Sequence, residues 1–473
     1  MLGQNSSQEA LYQVVNLESL VPQNHWLRRI DAVLNLSAVR QIVADCYTPG
    51  RGRPSVDPEV AIRMMIIGAL CELSDRELCQ EVGMHAGYRW FCRLNFHDPV
   101  PDHSTLSRLR NERWAGSDVF LRFFEQTVAQ CVSAGIVSGR HVSVDGTQIR
   151  ANASMQSLER KSDSGDDEAG EPPSEGAAAA LDTLEPQPEG GWQGHGEKYS
   201  NETHYSRTDP DARLYRKADG QSASLSYLSH NLIDTRSRVI LACTTTHATG
   251  LAEREAALAL LDEHENRRER LGLHQAVEIL TGDKGYGPSE FVADLIDRGI
   301  TPHVPLLANL QMEPVRIYRR RTFNLARQRK RLERARLLMA RNATRLAMAS
   351  PGYAVSRKLR TRSEHLFAEA KNEHGLGRAR HRGLVKVNWR NLMIAAVQNL
   401  KRLEKDARRK AREVVASLVN AQIRARNRLT ALAKRHYDQF GQPTLRFKPA
   451  RQRAWRYVSA ISQHGTCLSS TAF

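Results

Sequence analysis

The stretch RHVSVDGTQIRA, Arg140 to Ala151, decides the reading of the fold. Apolar and polar residues alternate along it and β-branched side chains are frequent, so it predicts a strand. Val142 and Val144 share one face, and Asp145 falls on the other. Downstream, SLSYLSHNLID and VILACTTTHA predict two more strands joined by a short turn, Thr235 to Arg238. Then AEREAALALLDEH predicts a helix, AVEILTGD a strand, SEFVADLIDRG a helix and ITPHVPL a short strand. Three strands followed by helix and strand in alternation predict an α/β layout with a mixed sheet.

Upstream the pattern is helical. Leu27, Ile30, Val33 and Leu34 recur at helical spacing, and PGRGRPS (Pro49 to Ser55) is a basic, turn-rich joint. Ser55 or Asp57 caps the next helix, with Pro58 in its first turn, and the helix runs through VAIRMMIIGALCE. Ser74-Asp-Arg-Glu is a capping box that opens another, ending at Gly83. Beyond Pro99 and Pro101, Ser104 is the expected cap of TLSRLRNERW. Residues 1–135 thus predict an all-α domain of helix-turn-helix character. Arg108 and Arg110 could reach bases or phosphates from its third helix, or form the polar face of a packed helix.

Two stretches interrupt the α/β region, taken as 136–405. Residues 156–198 are acidic and rich in Gly, Pro, Ser and Ala, and predict a disordered insertion. Residues 315–347 are basic and helical in propensity, either a solvated helix or a phosphate-contacting arm; the basic chain favours the arm. A basic helical region from about Trp389 into the 430s leads into a C-terminal extension, 406–473, whose last forty residues read as poorly ordered.

The 473 residues carry a formal charge of +17, which points to a polyanionic partner, nucleic acid first. A membrane is excluded as a partner by the lack of any long apolar run. The first residues do not resemble a signal peptide, so a cytoplasmic, nucleoid-associated protein is expected. Seven scattered cysteines, none in a Cys-x2-Cys pair, argue against disulfides and zinc.

Phosphodiester chemistry with two metals needs hard oxygen ligands around ions roughly 3.5–4 Å apart. Asp145, followed by Gly146 and its room for a substrate backbone, is one candidate; an ordinary charge on a solvated sheet face is the other reading. Asp283 ends the run AVEILTGD ahead of KGYG. Ligands collect outside the carboxyl ends of such strands, with Lys284 suited to a phosphate, but turn aspartates are common. Gly282, Gly285 and Gly287 are expected to let the backbone turn sharply there. Among Glu364, Glu369 and Glu373, helical geometry selects Glu364. At about 100° per residue it shares a face with Arg360 and Lys371, all within roughly 40°, whereas Glu369 lands on the far side. A surface ladder of Arg360 with Glu364 explains the same spacing. Asp234, His247 and Trp389 are weaker candidates.

These residues resemble the insertion-sequence DDE transposases. RTRSEHLFAEAKNEHG is similar to their last catalytic block, Tyr-x2-Arg-x3-Glu-x6-Lys, with Arg360, Glu364 and Lys371 matching and Arg357 in the tyrosine place. VSVDGTQIRANAS resembles the first block and LTGDKGYG the second. The resemblance covers about residues 15 to 405. It implies an RNase H-like fold and a catalytic, metal-binding set of Asp145, Asp283 and Glu364. It also implies two Mg²⁺ (or Mn²⁺) ions, one activating water and then a DNA 3′-hydroxyl, the other stabilising the leaving oxygen. Arg360, Lys371, Lys284, Arg108 and Arg110 are the expected DNA contacts. The implied partners are double-stranded DNA, as terminal inverted repeats and target, and a second copy in a homodimer on paired ends. An RNase H-like endonuclease without strand transfer, or an inactive DNA-binding remnant, would share these motifs.

Overall fold

A computed structural model describes residues 16–48, 55–161, 199–216, 221–306 and 324–440 of the chain. The helical region holds α1 (Leu17–Leu20), α2 (Trp26–Val33), α3 (Val39–Val43), α4 (Pro58–Leu70), α5 (Asp75–Met84), α6 (Ala86–Phe91), α7 (His103–Arg108) and α8 (Val119–Ser133). Asp57 caps α4, and the Ser74–Glu77 capping box opens α5, as the sequence predicts. The cap of α7 is Asp102, not Ser104: its carboxylate accepts the Ser104 N–H at 2.8 Å. A carboxylate at that position complements the helix dipole as well as the free N–H. The helix then widens into a π turn, Leu109–Arg113.

The sheet is mixed and six-stranded. Its members are β1 (His141–Arg150), β4 (Arg213–Tyr215), β5 (Ser224–Asp234), β6 (Ile240–His247), β7 (Ile279–Thr281) and β8 (Thr301–His303). β1 is central, antiparallel to β5 and parallel to β7, with β8 parallel beyond β7. The short β2 (Leu158–Arg160) and β3 (His204–Ser206) pair with each other, joined also by Ser157 Oγ and Ser206 Oγ at 2.7 Å. The expected disordered insertion is therefore ordered at its start, because the low-complexity run begins only after Lys161; residues 162–198 lie outside the described residues.

Around the sheet pack α9 (Ala252–Arg268), α10 (Ser289–Asp297), α11 (Leu325–Ala349), α12 (Pro351–Glu373) and α13 (Leu384–Phe440). The expected basic helix is seen from Leu325; its start, 315–323, lies outside the described residues. It is not wholly a free arm, since Arg336 pairs with Asp294 and Asp297 of α10 at 2.5 Å each. The joint 49–54 and the end 441–473 are likewise outside the described residues.

α13 ties the parts together and runs unbroken through residues 405 and 406. Its first half contributes Leu392, Ala396, Val397 and Leu400 to one hydrophobic core shared by the helical region and the sheet. Its asparagines also cover the outer edge of β6, where backbone groups would otherwise be buried without partners. Asn399 accepts the Ile240 N–H at 2.8 Å and donates to the Ile240 carbonyl at 2.9 Å; Asn388 accepts the Thr245 N–H at 2.9 Å. Asn399→Leu would orphan both Ile240 groups, at about 1–3 kcal/mol each. We expect urea unfolding to report a loss of roughly 2–5 kcal/mol, and little change for Asn420→Leu on the exposed half of the same helix.

Candidate active site

β1 and β7 bring two of the expected carboxylates to one level. Thr281 pairs with Ser143, so two residues further on Asp283 stands beside Asp145. β7 stops at Thr281 while β1 continues to Arg150, which leaves a notch at the end of the shorter strand. α12 supplies the third carboxylate. It lies along β1, held by Ser356 Oγ to His141 Nε2 at 3.1 Å and by Ser363 Oγ to Ser143 Oγ at 2.7 Å. The second contact fixes the register and brings Glu364 to Asp145. Its face is the one that helical geometry selects.

The electrostatics agree with that convergence. Burial raises the Asp145 carboxyl; the Gly146 N–H (2.8 Å) opposes, the Asp283 carboxylate adds to the rise, Arg360 opposes and Glu364 adds, leaving it pushed up to about 6. Asp283 caps a short 3-10 turn, accepting the Gly285 N–H at 2.8 Å. Glu364 is 56% exposed and pairs with Arg360 at 3.2 Å, so the surface ladder and the convergence coexist. Three hard oxygen donors whose mutual repulsion is only partly relieved fit a divalent cation.

At Gly146 and Gly285 glycine supplies space rather than a left-handed backbone. Gly146 and Gly285 both lack positive φ. A Cβ at Gly146 would stand 3.2 Å from His230 Nδ1 and 3.5 Å from Glu253 Oε1, and one at Gly285 3.0 Å from Asp283 Oδ1. The room beside Gly146 is thus filled by the protein's own side chains. Glu253, in the first turn of α9, is a nearby carboxylate that sequence reasoning missed; only the tertiary packing of α9 reveals it. Tyr286 is buried, and its hydroxyl is raised well above its ordinary value by burial and then by Glu253, Asp145 and Asp283 together.

The expected cations divide. Arg360 acts on Asp145 directly, and Lys284 is exposed on the turn after Asp283. Lys371 lies further along α12, on a groove with Gln148, Arg150 and Arg378. Arg108 is exposed on the helical region, beside Thr105 and Arg113. Arg110 forms an ion pair with Asp75, its side chain 14% exposed, which ties the π turn to α5. The packed-helix reading therefore describes Arg110. Asp234 is a structural knot, accepting N–H groups of Ser138, Gly139, Arg236 and Ser237 at 2.9–3.2 Å. His247 Nδ1 lies 2.8 Å from the Asp211 carbonyl, and Trp389 stacks on Phe120.

Among the described residues, the acidic group whose ligand atoms lie within 4.8 Å of one another is a different one, Glu369, Glu373 and His374. An ammonium already fills it. Lys401 Nζ lies 2.5 Å from Glu369, 2.6 Å from Glu373 and 3.3 Å from His374 Nε2, and Arg402 pairs with Glu369 as well. Burial would raise the Glu369 carboxyl, but His374, Lys401 and Arg402 outweigh it and hold it well below the usual range. This group joins α12 to α13. Glu369→Gln leaves mostly buried cations uncompensated, so we expect a loss of about 2–3 kcal/mol in thermal or urea unfolding, discounted for the partial exposure of Lys401. Glu364→Gln should leave stability within about 0.5 kcal/mol, as exposed pairs do.

Among the described residues, no helix is long and apolar enough to cross a membrane. No curated protein and no solved structure matches the chain. The family described as transposase domain (DUF772) matches residues 15–112, and the family described as transposase DDE domain matches residues 139–400. The mixed sheet flanked by helices, behind an all-helical region, has the RNase H-like arrangement of such domains. Since the second match spans more than half of the sequence, the chain belongs to the DDE transposase family.

Proposed function

We propose that the protein cuts and rejoins DNA strands at the ends of an insertion sequence, using Asp145, Asp283 and Glu364 to hold two Mg²⁺ (or Mn²⁺) ions. One observation carries the reading: Asp145, on the central strand, has the charges of both Asp283 and Glu364 as neighbours. Two-metal transfer asks for such a set on rigid elements. When bound, the ions supply charge neutralisation at the attacking and leaving oxygens.

The chain's own residues then orient and select. Arg360 holds the Glu364 carboxylate in place and adds a positive charge where a phosphate would lie. Lys284 and Lys371 extend that charge on either side, and Arg108 offers a contact from the helical region. Tyr286 is a buried neighbour of Asp145 and Asp283. Paired element ends would call for a homodimer on double-stranded DNA.

The test is strand transfer in vitro with Mg²⁺, on duplexes carrying the inverted repeats that bracket this reading frame. Joined product is expected from the natural chain. Cleavage without joining would instead indicate an endonuclease, and binding alone an inactive remnant. Asp145→Asn and Glu364→Gln should each lose several kcal/mol of charge stabilisation, roughly a thousandfold in rate, while still binding the duplex. Retained cleavage in either variant would contradict the assignment.

A further inference from the structure

The helical region and the start of α13 enclose a cavity of about 230 Å³. Its apolar wall is built from Met65 of α4, Phe120 of α8, and Trp389 and Met393 of α13. Phe120 and Trp389 already stack, with ring centroids 5.5 Å apart and planes 28° from parallel. An apolar cavity of about 150 Å³ is enough to take up benzene. This one therefore has room for a planar ring system, and a ring laid there extends the existing stack.

The remaining lining is cationic. Lys386 is exposed, and Arg380 and Arg390 are half-buried. Asp75, the acid of the lining, is already held by Arg110. Among the described residues, Lys386 and Arg390 form no ion pair, and Arg380 meets Glu72 only at 4.0 Å. Burial and then the neighbouring Arg380 push the Arg390 guanidinium down to about 10, a sign of positive charge without its counterion. Burial and then Arg110 hold His381 down to about 4, so its ring is neutral and offers one donor and one acceptor. An apolar concavity with a few convergent polar groups is how small-ligand sites are built. Here the surplus of cations calls for an anion.

Ser74 and Arg380 line both this cavity and the groove of Gln148, Arg150 and Lys371. Lys371 follows Glu364 by two turns on the same face of α12, about 10 Å along the axis. The cavity thus adjoins a surface that leads to the catalytic carboxylates along the face that carries them. Its chemistry narrows the occupant. Inorganic phosphate would leave the apolar wall uncovered, and an aliphatic anion would leave the aromatic stack unused. A nucleotide supplies both a ring that stacks and a phosphate for the cations.

We propose that this cavity takes a single unpaired nucleotide, its base against Trp389 and its phosphate on Lys386, Arg380 and Arg390. The nucleotide comes either from a DNA strand, a source that rests on the transposase reading above, or from solution. The test compares short duplexes alike except at one central position, which holds an unpaired 2-aminopurine or an abasic site. The emission of 2-aminopurine falls on stacking. The natural chain should bind the base-bearing duplex roughly tenfold to a hundredfold more tightly than the abasic one, and the emission should fall. Trp389→Leu should remove both effects. Lys386→Ala, at an exposed position, should reduce the preference severalfold at an unchanged urea midpoint, and it decides the matter where Trp389→Leu does not fold. Arg122→Ala, an exposed cation on α8 outside the cavity, should keep both effects. Calorimetry with dAMP alone separates the sources. Micromolar dAMP binding that Lys386→Ala weakens, without a base preference on DNA, assigns the cavity to a free nucleotide; a base preference without dAMP binding assigns it to a strand. Absence of both, or a preference unchanged in the Trp389 and Lys386 variants, would overturn the proposal. If the natural chain shows the preference but neither cuts nor joins DNA, the catalytic reading fails and the cavity stands. If it cuts but shows neither base preference nor dAMP binding, the cavity fails alone.

Discussion

Like charges that would separate in water are held together here by backbone. Asp145 is a carboxyl on a central strand, next to a second carboxylate just past the neighbouring strand and a third on the helix that lies along β1. Burial pushes the Asp145 carboxyl up to about 6, and the neighbouring Asp283 and Glu364 charges add to that rise. The hydroxyl contact between Ser143 and Ser363, and the pairing of Thr281 with Ser143, convert sequence separation into proximity. If either register slipped by one residue, a carboxylate would move to another face.

That arrangement depends on what braces α12. The helix is pinned to β1 by serines and to α13 by the Glu369 cluster, and α13 is in turn clamped to the edge of β6 by asparagines. The helical region packs on the same α13 and shares its core. Force on any of these parts therefore reaches the site through one long helix. The site is also flanked by positive charge: Arg360 beside Glu364, and Lys371 with Arg150 in a groove further along α12. Cations that do not touch the carboxylates are placed to hold the polyanion whose backbone must reach them.

Much of this was readable from the chain. The alternation around Asp145 marks β1, the capping signals mark α4 and α5, and a helical projection separates Glu364 from Glu369. What local pattern could not contain is pairing at a distance. Arg110 looks like a DNA contact until Asp75, 35 residues away, is seen to hold it. Gly146 looks like room for substrate until His230 and Glu253 fill the space. Ser104 was the wrong cap because a carboxylate two residues earlier competes better for the same N–H. Leu158–Arg160 falls inside the acidic stretch because composition averages over a window, whereas β2 is only three residues long. α8 carries helical apolar spacing without a side-chain cap, and α6 is only six residues long.

The central claim is that Asp145, Asp283 and Glu364, rather than Glu369, Glu373 and His374, surround the metal. Fe²⁺ can replace Mg²⁺ and, with ascorbate and peroxide, cuts the polypeptide near where it is bound. Mapping those cuts by mass spectrometry tests the claim directly. The account predicts three clusters, around residues 145, 283 and 364, suppressed by excess Mg²⁺ and lost in Asp145→Asn. Cutting confined to 369–374, or scattered without competition by Mg²⁺, would contradict it.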